Sequence, residues 1–393
     1  MTYNILKTND LLPPPAQRVS ETKPLRSSNL ELYRIVSMLM IVAHHYVVNS
    51  GLFDSGGPMV SNPISANTLF LALFGAWGKV GINCFLMITG YFMCTSHITV
   101  RKFIKLILQI YLYKLLLFPI LLIGGYETLS LNRIVKLIMP VWGFSTSNFT
   151  SCFIAFWLTI PFLNILLRNM NKRQHALLVL LLLCFFTLFG TIPHFEVPLN
   201  YITWFGIIYL ISAYLRLYPN PLFERKKLWG WLTLFTTLVA LASVTGMQYL
   251  YGSKGINYSY FFVRDSNKIL AVAYAVCSFL WFKNMNIRHS KIINAFGAGT
   301  FGVLLIHANS NAMRTWLWKD TVDCVGHYSL QLGALMLYSI GVVLAVFIIC
   351  NLMDQLRIAT VEKCFFNWYD RQFAAKVNTC VNRFVNKRQN TVE

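Results

Sequence analysis

The chain alternates between apolar blocks and short polar stretches. A helix needs about 20 apolar residues to cross the hydrocarbon core of a bilayer, and it satisfies its own backbone hydrogen bonds, which lipid cannot do. The pattern therefore predicts an all-α integral membrane protein with about ten spanning helices. The predicted spans are residues 32–50, 71–94, 103–124, 150–168, 176–193, 201–218, 229–249, 264–282, 293–312 and 331–353.

One further apolar segment, residues 132–146, is short and contains Arg133, Lys136 and Pro140. These residues favour a piece that lies at the membrane interface or re-enters the membrane. An additional spanning helix is the alternative, and it would reverse the side on which every later loop lies.

The composition supports the membrane assignment. Hydrophobic residues make up 56% of the chain and charged residues only 12%, whereas soluble domains carry about 25% charged residues. The nine cysteines are scattered and form no Cys-x-x-Cys pair, so the sequence predicts no metal site and no disulfide framework.

Lysine and arginine concentrate in alternate polar stretches, as expected for cytoplasmic loops. Stretches 51–70 and 194–200, which belong to the other set, contain neither residue. The alternation predicts that both termini are cytoplasmic. We expect a tail at residues 1–29, a membrane domain at 30–354 and a basic tail at 355–393 that lies on anionic lipid head groups. The net charge of +20 is then explained by topology, and no nucleic-acid partner is expected.

The first predicted helix carries the most informative residues. Arg34 and two histidines, His44 and His45, interrupt an otherwise apolar span, and ionisable residues at that depth normally face a protein interior or a wet cavity. At 100° per residue, eleven residues return a helix to within about 20° of its starting direction, so Arg34 and His45 share one stripe, about 16 Å apart along the axis. We expect this stripe to line a passage in which imidazole, suited to proton transfer near neutral pH, meets an anionic substrate. In the structural alternative, Arg34 reaches the interface and the histidines only join helices.

Two stretches resemble the membrane acyltransferase-3 family, which includes O-antigen and capsule O-acetyltransferases. An arginine, ten residues and a histidine in the first span are that family's signature, and Arg34 and His45 match it. The second helix, Gly81-Ile-Asn-Cys-Phe-Leu-Met-Ile-Thr-Gly-Tyr91, is similar to the family's Gly-Val-x-x-Phe-Phe-x-x-Ser-Gly-Tyr/Phe run. The resemblance covers most of the chain and is strongest in residues 29–105 and 297–318.

The resemblance implies a multi-pass enzyme of the bacterial inner membrane. It would transfer an acyl group, expected to be acetyl, from cytoplasmic acetyl-CoA to a hydroxyl of a cell-surface polysaccharide or its lipid-linked precursor. Arg34 and His45 would be the catalytic residues.

A cationic group follows the second helix. Coenzyme A carries several phosphates, and Arg101, Lys102 and Lys105 are the residues expected to bind them. The family commonly has Arg-x-x-Arg here, whereas this chain has Lys-x-x-Lys, and lysine binds phosphate without the bidentate fork of arginine. An ordinary cluster of cytoplasmic charges is the alternative.

The ninth predicted span resembles the family's late Tyr-Leu-Ile-His segment. His307 is a candidate catalytic residue, and Asn309 and Arg314 are candidate substrate-binding residues. Capsule-type members often have an acidic residue after this histidine, where this chain has Ala308. A purely structural His307, hydrogen-bonded to a neighbouring helix, is the alternative.

Asp265 is the last candidate for acceptor binding. It lies between Arg264 and Lys268 at the predicted start of the eighth span, so it could equally pair with Lys268.

The alternative function is a membrane transporter or glycan exporter. It fits the many spans and the intramembrane charges, but transporters often contain inverted repeats with broken helices at matching positions. The sequence shows no such repeat. Acceptor-dependent release of coenzyme A thiol distinguishes the enzyme from the transporter.

Overall fold

The computed structural model describes residues 26–96, 98–139, 148–195 and 197–373, and within these residues the chain is helical and contains no strand. The first six longer helices are α1 Ser28–Val48, α2 Ala66–Gly75, α3 Gly78–Met93, α4 Val100–Ile123, α5 Leu131–Ile138 and α6 Phe149–Asn169. They are followed by α7 Lys172–Thr191, α8 Tyr201–Leu217, α9 Lys226–Tyr251, α10 Ile269–Lys283, α11 Lys291–Ala298, α12 Thr300–His307, α13 Leu332–Arg357 and α14 Lys363–Gln372.

The described residues form a multi-pass membrane protein. Six helical stretches are long and apolar enough to cross a bilayer, and a bent pair, Lys291–His307 with Asn311–Ser329, is either a seventh, broken span or a re-entrant loop. The helices α8 and α10 are apolar but shorter than 18 residues. The count of ten spans and the cytoplasmic position of both termini remain predictions.

The first helix, α1, is 21 residues long but more polar than the other spans, because it contains Glu31, Arg34, His44 and His45. Protein surrounds it instead of lipid: α1 packs against α2, α3, α11 and α13. Ionisable residues are tolerated at membrane depth in such surroundings.

The structure corrects two predicted spans. The eighth predicted span corresponds to α10, which begins at Ile269 rather than at residue 264. Residues 265–268 form a turn instead, and the Lys268 Nζ donates a 2.5 Å hydrogen bond to the carbonyl of Gly190. The ninth span, predicted as continuous from 293 to 312, breaks after His307. Ser310 caps a new short helix there by accepting a hydrogen bond from the Met313 N–H, and the two parts of the bent pair meet at 96°.

Segment 132–146 is helical in its described part. Helix α5 has Ser130 as its N-cap and contains no buried residue. Its eight residues extend only about 12 Å at 1.5 Å per residue, which is too short to cross the hydrocarbon core. The described part therefore agrees with an interfacial or re-entrant segment, while residues 140–147 lie outside the described residues.

The C-terminal segment continues the last span. The predicted boundary between residues 354 and 355 falls inside α13, and a π-helical turn, Ile358–Glu362, joins this helix to α14. The part of the predicted lipid-bound tail after residue 373 lies outside the described residues.

A buried network of hydrogen bonds joins α4 and α13, and α12 packs against it. Asp354 is 0% exposed and accepts hydrogen bonds from Tyr113 Oη (2.7 Å), Gln109 Nε2 (3.2 Å) and Arg357 Nε (2.6 Å). Helix α12 approaches this carboxylate at Gly302, where an added Cβ would lie 2.1 Å from Asp354 Cγ. The glycine therefore allows the close approach of these two helices.

Replacing Gly302 with alanine should destabilise the protein. The new methyl group would overlap a carboxylate that three hydrogen bonds hold in place, and overpacking of this kind costs about 1–3 kcal/mol. In the control Gly246→Ala, an added Cβ meets no atom within 4 Å, so alanine should be neutral or slightly stabilising in α9. Thermal unfolding in detergent measures both. Equal unfolding temperatures for the two variants would contradict the proposed packing.

Removing the Asp354 carboxylate should have a larger effect. Asp354→Ala leaves the Tyr113 hydroxyl and the Gln109 amide without an acceptor, and each buried unsatisfied group costs about 1–3 kcal/mol. Asp370→Ala is the matched control, because it breaks an Arg–Asp pair whose side chains are about half exposed. That variant should unfold at an unchanged temperature. A similar decrease in unfolding temperature in both variants would show that burial of the network does not determine how much it contributes to stability.

Candidate active site

Two histidines from distant parts of the chain meet inside the helical bundle. The His45 Nδ1 atom lies 2.9 Å from the His307 Nε2 atom, and the His307 Nδ1 atom lies 2.6 Å from the carbonyl oxygen of Val303. His307 is 0% exposed, whereas His45 is half-buried. This His45–His307 pair connects α1 to the end of α12.

The hydrogen bonds fix the tautomers of the pair. A carbonyl oxygen can only accept, so the His307 Nδ1 atom carries a proton and donates it to Val303. In neutral His307, the Nε2 atom then accepts the proton on His45 Nδ1. The His45 Nε2 atom is left with its lone pair and forms no hydrogen bond with a described residue. This unprotonated nitrogen can accept a proton and can therefore act as a base.

Local structure positions both rings. His307 is the last residue of α12, and its Nδ1 bonds to a carbonyl one turn earlier in the same helix. The neighbouring His44 is held differently, because its Nδ1 lies 2.6 Å from the Gly75 carbonyl and its ring packs on Gly78, where an added Cβ would overlap it. Of the two adjacent histidines, only His45 faces the cavity described next.

A partly open cavity of about 570 Å³ lies beside His45, within the range of about 300–1,000 Å³ that is common for ligand sites. Its walls come from the C-terminal halves of α1 and α4, from α5, from the beginnings of α3, α6 and α8, and from the segment around the α12 break. The polar residues lining it are His45, Lys79, Lys114, Glu127, Arg133, Lys136, Asn148, Thr150, Ser151, Tyr201, Asn309, Ser310, Asn311 and Arg314.

Two of the predicted substrate-binding residues, Asn309 and Arg314, line this cavity with His45. They lie at and just after the break that follows His307, where the two parts of the bent pair meet at 96°. The Asn309 side chain donates to the Leu305 carbonyl, and one Arg314 nitrogen donates to Asn311 at 3.3 Å.

A comparison with family models decides the classification. The model described as an acyltransferase domain, that of the acyltransferase-3 family, matches residues 27–353, which include the whole cavity and both histidines. This chain belongs to the acyltransferase-3 family. The comparisons with curated proteins and with solved structures gave no match.

In this acyltransferase, Arg34 does not share the cavity with His45. The Arg34 Nη1 atom donates a 2.8 Å hydrogen bond to the Glu31 carboxylate one turn earlier, and the described residues that line the cavity do not include Arg34. The structure therefore does not bring Arg34 and His45 together in the described cavity, and a passage shared by both residues stays a prediction. The Glu31 carboxylate holds one nitrogen of the guanidinium at the N-terminal end of α1.

The predicted phosphate-binding cations of the acyltransferase already have partners. Arg101 forms two hydrogen bonds with Asp370, at 3.1 and 3.0 Å, and Lys105 forms an ion pair with Glu362. Lys102 donates a 2.6 Å hydrogen bond to Ser96. The carboxylates belong to the C-terminal segment after α13, whose return to α4 the sequence pattern did not reveal.

Asp265 lies apart from the cavity. It forms an ion pair with Arg264 at 3.0 Å, and not with Lys268, whose Nζ instead bonds to the carbonyl of Gly190. The described residues lining the cavity do not include Asp265.

Sequence reasoning missed several cavity residues of the acyltransferase. Lys79 follows the short break between α2 and α3, and it donates to the Tyr201 hydroxyl at 2.5 Å. Lys114, Arg133 and Lys136 are visible in the sequence as charges in apolar segments. Nothing in the linear pattern showed that α4 and α5 bring them to the same cavity as His45.

The cavity should be reachable from the face opposite the N-terminus. In a protein whose nine cysteines are replaced by alanine, Asn309→Cys should react with an impermeant methanethiosulfonate added to intact spheroplasts. Met313→Cys is the matched control, because Met313 is buried in the adjacent short helix and should not react. Labelling of residue 309 only after the cytoplasmic face is exposed would reverse the predicted orientation.

Proposed function

We propose that this membrane acyltransferase is an O-acyltransferase of the bacterial inner membrane. It transfers an acyl group, most simply acetyl, from cytoplasmic acyl-CoA to a hydroxyl of a cell-surface polysaccharide or its lipid-linked precursor. The observation that carries the proposal is the His45–His307 pair, which holds an unprotonated imidazole nitrogen at the wall of a cavity large enough for a sugar. Membership of the acyltransferase-3 family favours this enzyme over the transporter alternative.

In the proposed reaction, His45 is the general base. The acceptor hydroxyl gives its proton to His45 Nε2 as its oxygen attacks the thioester carbonyl carbon. The carbon–sulfur bond then breaks, and the departing thiolate of coenzyme A takes that proton, so that the products are an ester and a free thiol. His307 accepts the hydrogen bond from His45 Nδ1 throughout and stabilises the positive charge that develops on His45, as the second group of a catalytic pair does.

A two-step route uses the same atoms. His45 Nε2 attacks the thioester first and forms an acyl-imidazole, which the sugar hydroxyl then opens. Release of one equivalent of thiol from acyl-CoA before any acceptor is added separates the two routes, because only the two-step route frees the thiol without the acceptor hydroxyl.

The donor is proposed to approach from the opposite, cytoplasmic end of the helices. Arg101, Lys102 and Lys105 begin α4 there, and a phosphate of coenzyme A would have to compete with Asp370 and Glu362 for two of them. Arg34 is proposed to guide the donor along α1, because its side chain is 24% exposed and Glu31 engages only part of its guanidinium fork.

Replacing His45 with alanine should reduce acceptor-dependent release of coenzyme A thiol by about 10²–10⁴-fold, since that is the usual contribution of a general base. The control His289→Ala removes an exposed histidine outside the cavity and should keep wild-type activity. Thiol release by purified protein, measured with matched amounts of folded protein, is the readout. Full activity of His45→Ala would refute the assignment.

Variants of His307 test the pair itself. The carbonyl of glutamine can still accept the proton on His45 Nδ1, so His307→Gln should keep more activity than His307→Phe, which leaves that proton without an acceptor. Both variants should bind acyl-CoA with unchanged affinity if His307 acts through His45. Equal activity of the two would show that the hydrogen bond does not matter for catalysis.

A further inference from the structure

The cavity beside His45 contains far more positive than negative charge. Its described lining has five cationic side chains and one carboxylate, that of Glu127, which forms an ion pair with Arg133 at 3.3 Å. After that pairing, four cations remain: Lys79, Lys114, Lys136 and Arg314.

None of these four has a carboxylate partner among the described residues. Lys79 donates to the hydroxyl of Tyr201, and Arg314 donates to the neutral amide of Asn311. The Arg314 Nε atom is buried and has no hydrogen-bond partner. Lys114 and Lys136 form no hydrogen bond or ion pair with a described residue.

Such an arrangement is costly without a ligand. Cations near the hydrocarbon core that lack a counter-charge pay for desolvation and repel one another. Elsewhere in the described structure, cations such as Arg357, Arg101 and Lys105 are paired with carboxylates. The unpaired group therefore marks a site for an anion, and a carboxylate or phosphate is the natural partner of lysine and arginine.

The position of the cavity identifies which substrate brings the anion. Lys114 lies in the C-terminal half of α4, past the Arg101–Lys105 cations that begin the same helix. The cavity thus lies at the end of the bundle opposite the proposed donor cations. On the predicted orientation, this end faces the acceptor side of the membrane.

We propose that the cavity binds an acidic acceptor sugar, whose carboxylate or phosphate contacts Lys114 and Arg314 and presents a nearby hydroxyl to His45. This inference rests on the proposed function and adds the chemical class of its acceptor. A neutral sugar would leave the four cations uncompensated, so charge is the basis of selection.

Binding without turnover tests the inference. Two probe pairs are titrated into purified protein in a neutral detergent and followed by isothermal calorimetry: trigalacturonate against its methyl ester, and glucose 1-phosphate against glucose. At least one acid should bind at least 10-fold more tightly than its neutral counterpart. The preference should fall below 3-fold in the double variant Lys114→Met, Arg314→Gln. Lys254→Met, which removes an exposed cation outside the cavity, should keep it.

Three results would overturn the inference. The first is equal binding, or no binding, of both members of each pair. The second is displacement of the bound acid by coenzyme A, which would assign the cavity to the donor. The third is loss of the preference in nanodiscs containing phosphatidylglycerol but not in phosphatidylcholine alone, which would assign the cations to lipid head groups. Failure of the proposed function has a different signature, since wild-type protein would then release no thiol with any acceptor while the binding preference persisted.

Discussion

The hydrogen bond between His45 and His307 places strict demands on the helices around it. It joins residues 262 positions apart, and a ring-to-ring contact of 2.9 Å tolerates little change in helix position. Small residues meet this demand: Gly78 accommodates the neighbouring His44, and Gly297 lets α11 approach Glu31. The break after His307 meets it as well, because it ends α12 where the ring must stay and returns the chain to the cavity wall.

The cations along α4 differ in how their charge is compensated. At the N-terminal end, Arg101 and Lys105 are neutralised by acidic residues after α13. Towards the C-terminal end, Lys114 has no described counter-charge. The cations at the beginning of this helix are therefore compensated by carboxylates of the described residues and Lys114 is not, which gives the two halves of α4 different electrostatic character.

Patterns local to one helix predicted much of this structure. Apolar blocks revealed the helical membrane architecture, and the eleven-residue return along α1 distinguished His45 from His44, which the structure places in different environments. Contacts between distant segments were not visible. The free-energy cost of an ionisable residue in a membrane span does not predict that Arg34 pairs with Glu31 one turn earlier. The return of Asp370 to Arg101 and the convergence of Lys79 and Lys136 on one cavity depend on tertiary packing, which no periodicity records.

The close fit of Gly302 against Asp354 also bears on how the cavity could change shape. Sliding α12 along α13 would drive the glycine backbone into a carboxylate held by Tyr113 and Arg357, so this contact resists relative movement of the two helices. The α5 wall is held differently: none of its residues is buried, and its contacts include an ion pair between Arg133 and Glu127 and a hydrogen bond from Tyr111 to the Ile138 carbonyl. The shape of the cavity is therefore more easily altered at α5, whose residues are not buried, than at the α12–α13 contact that carries His307.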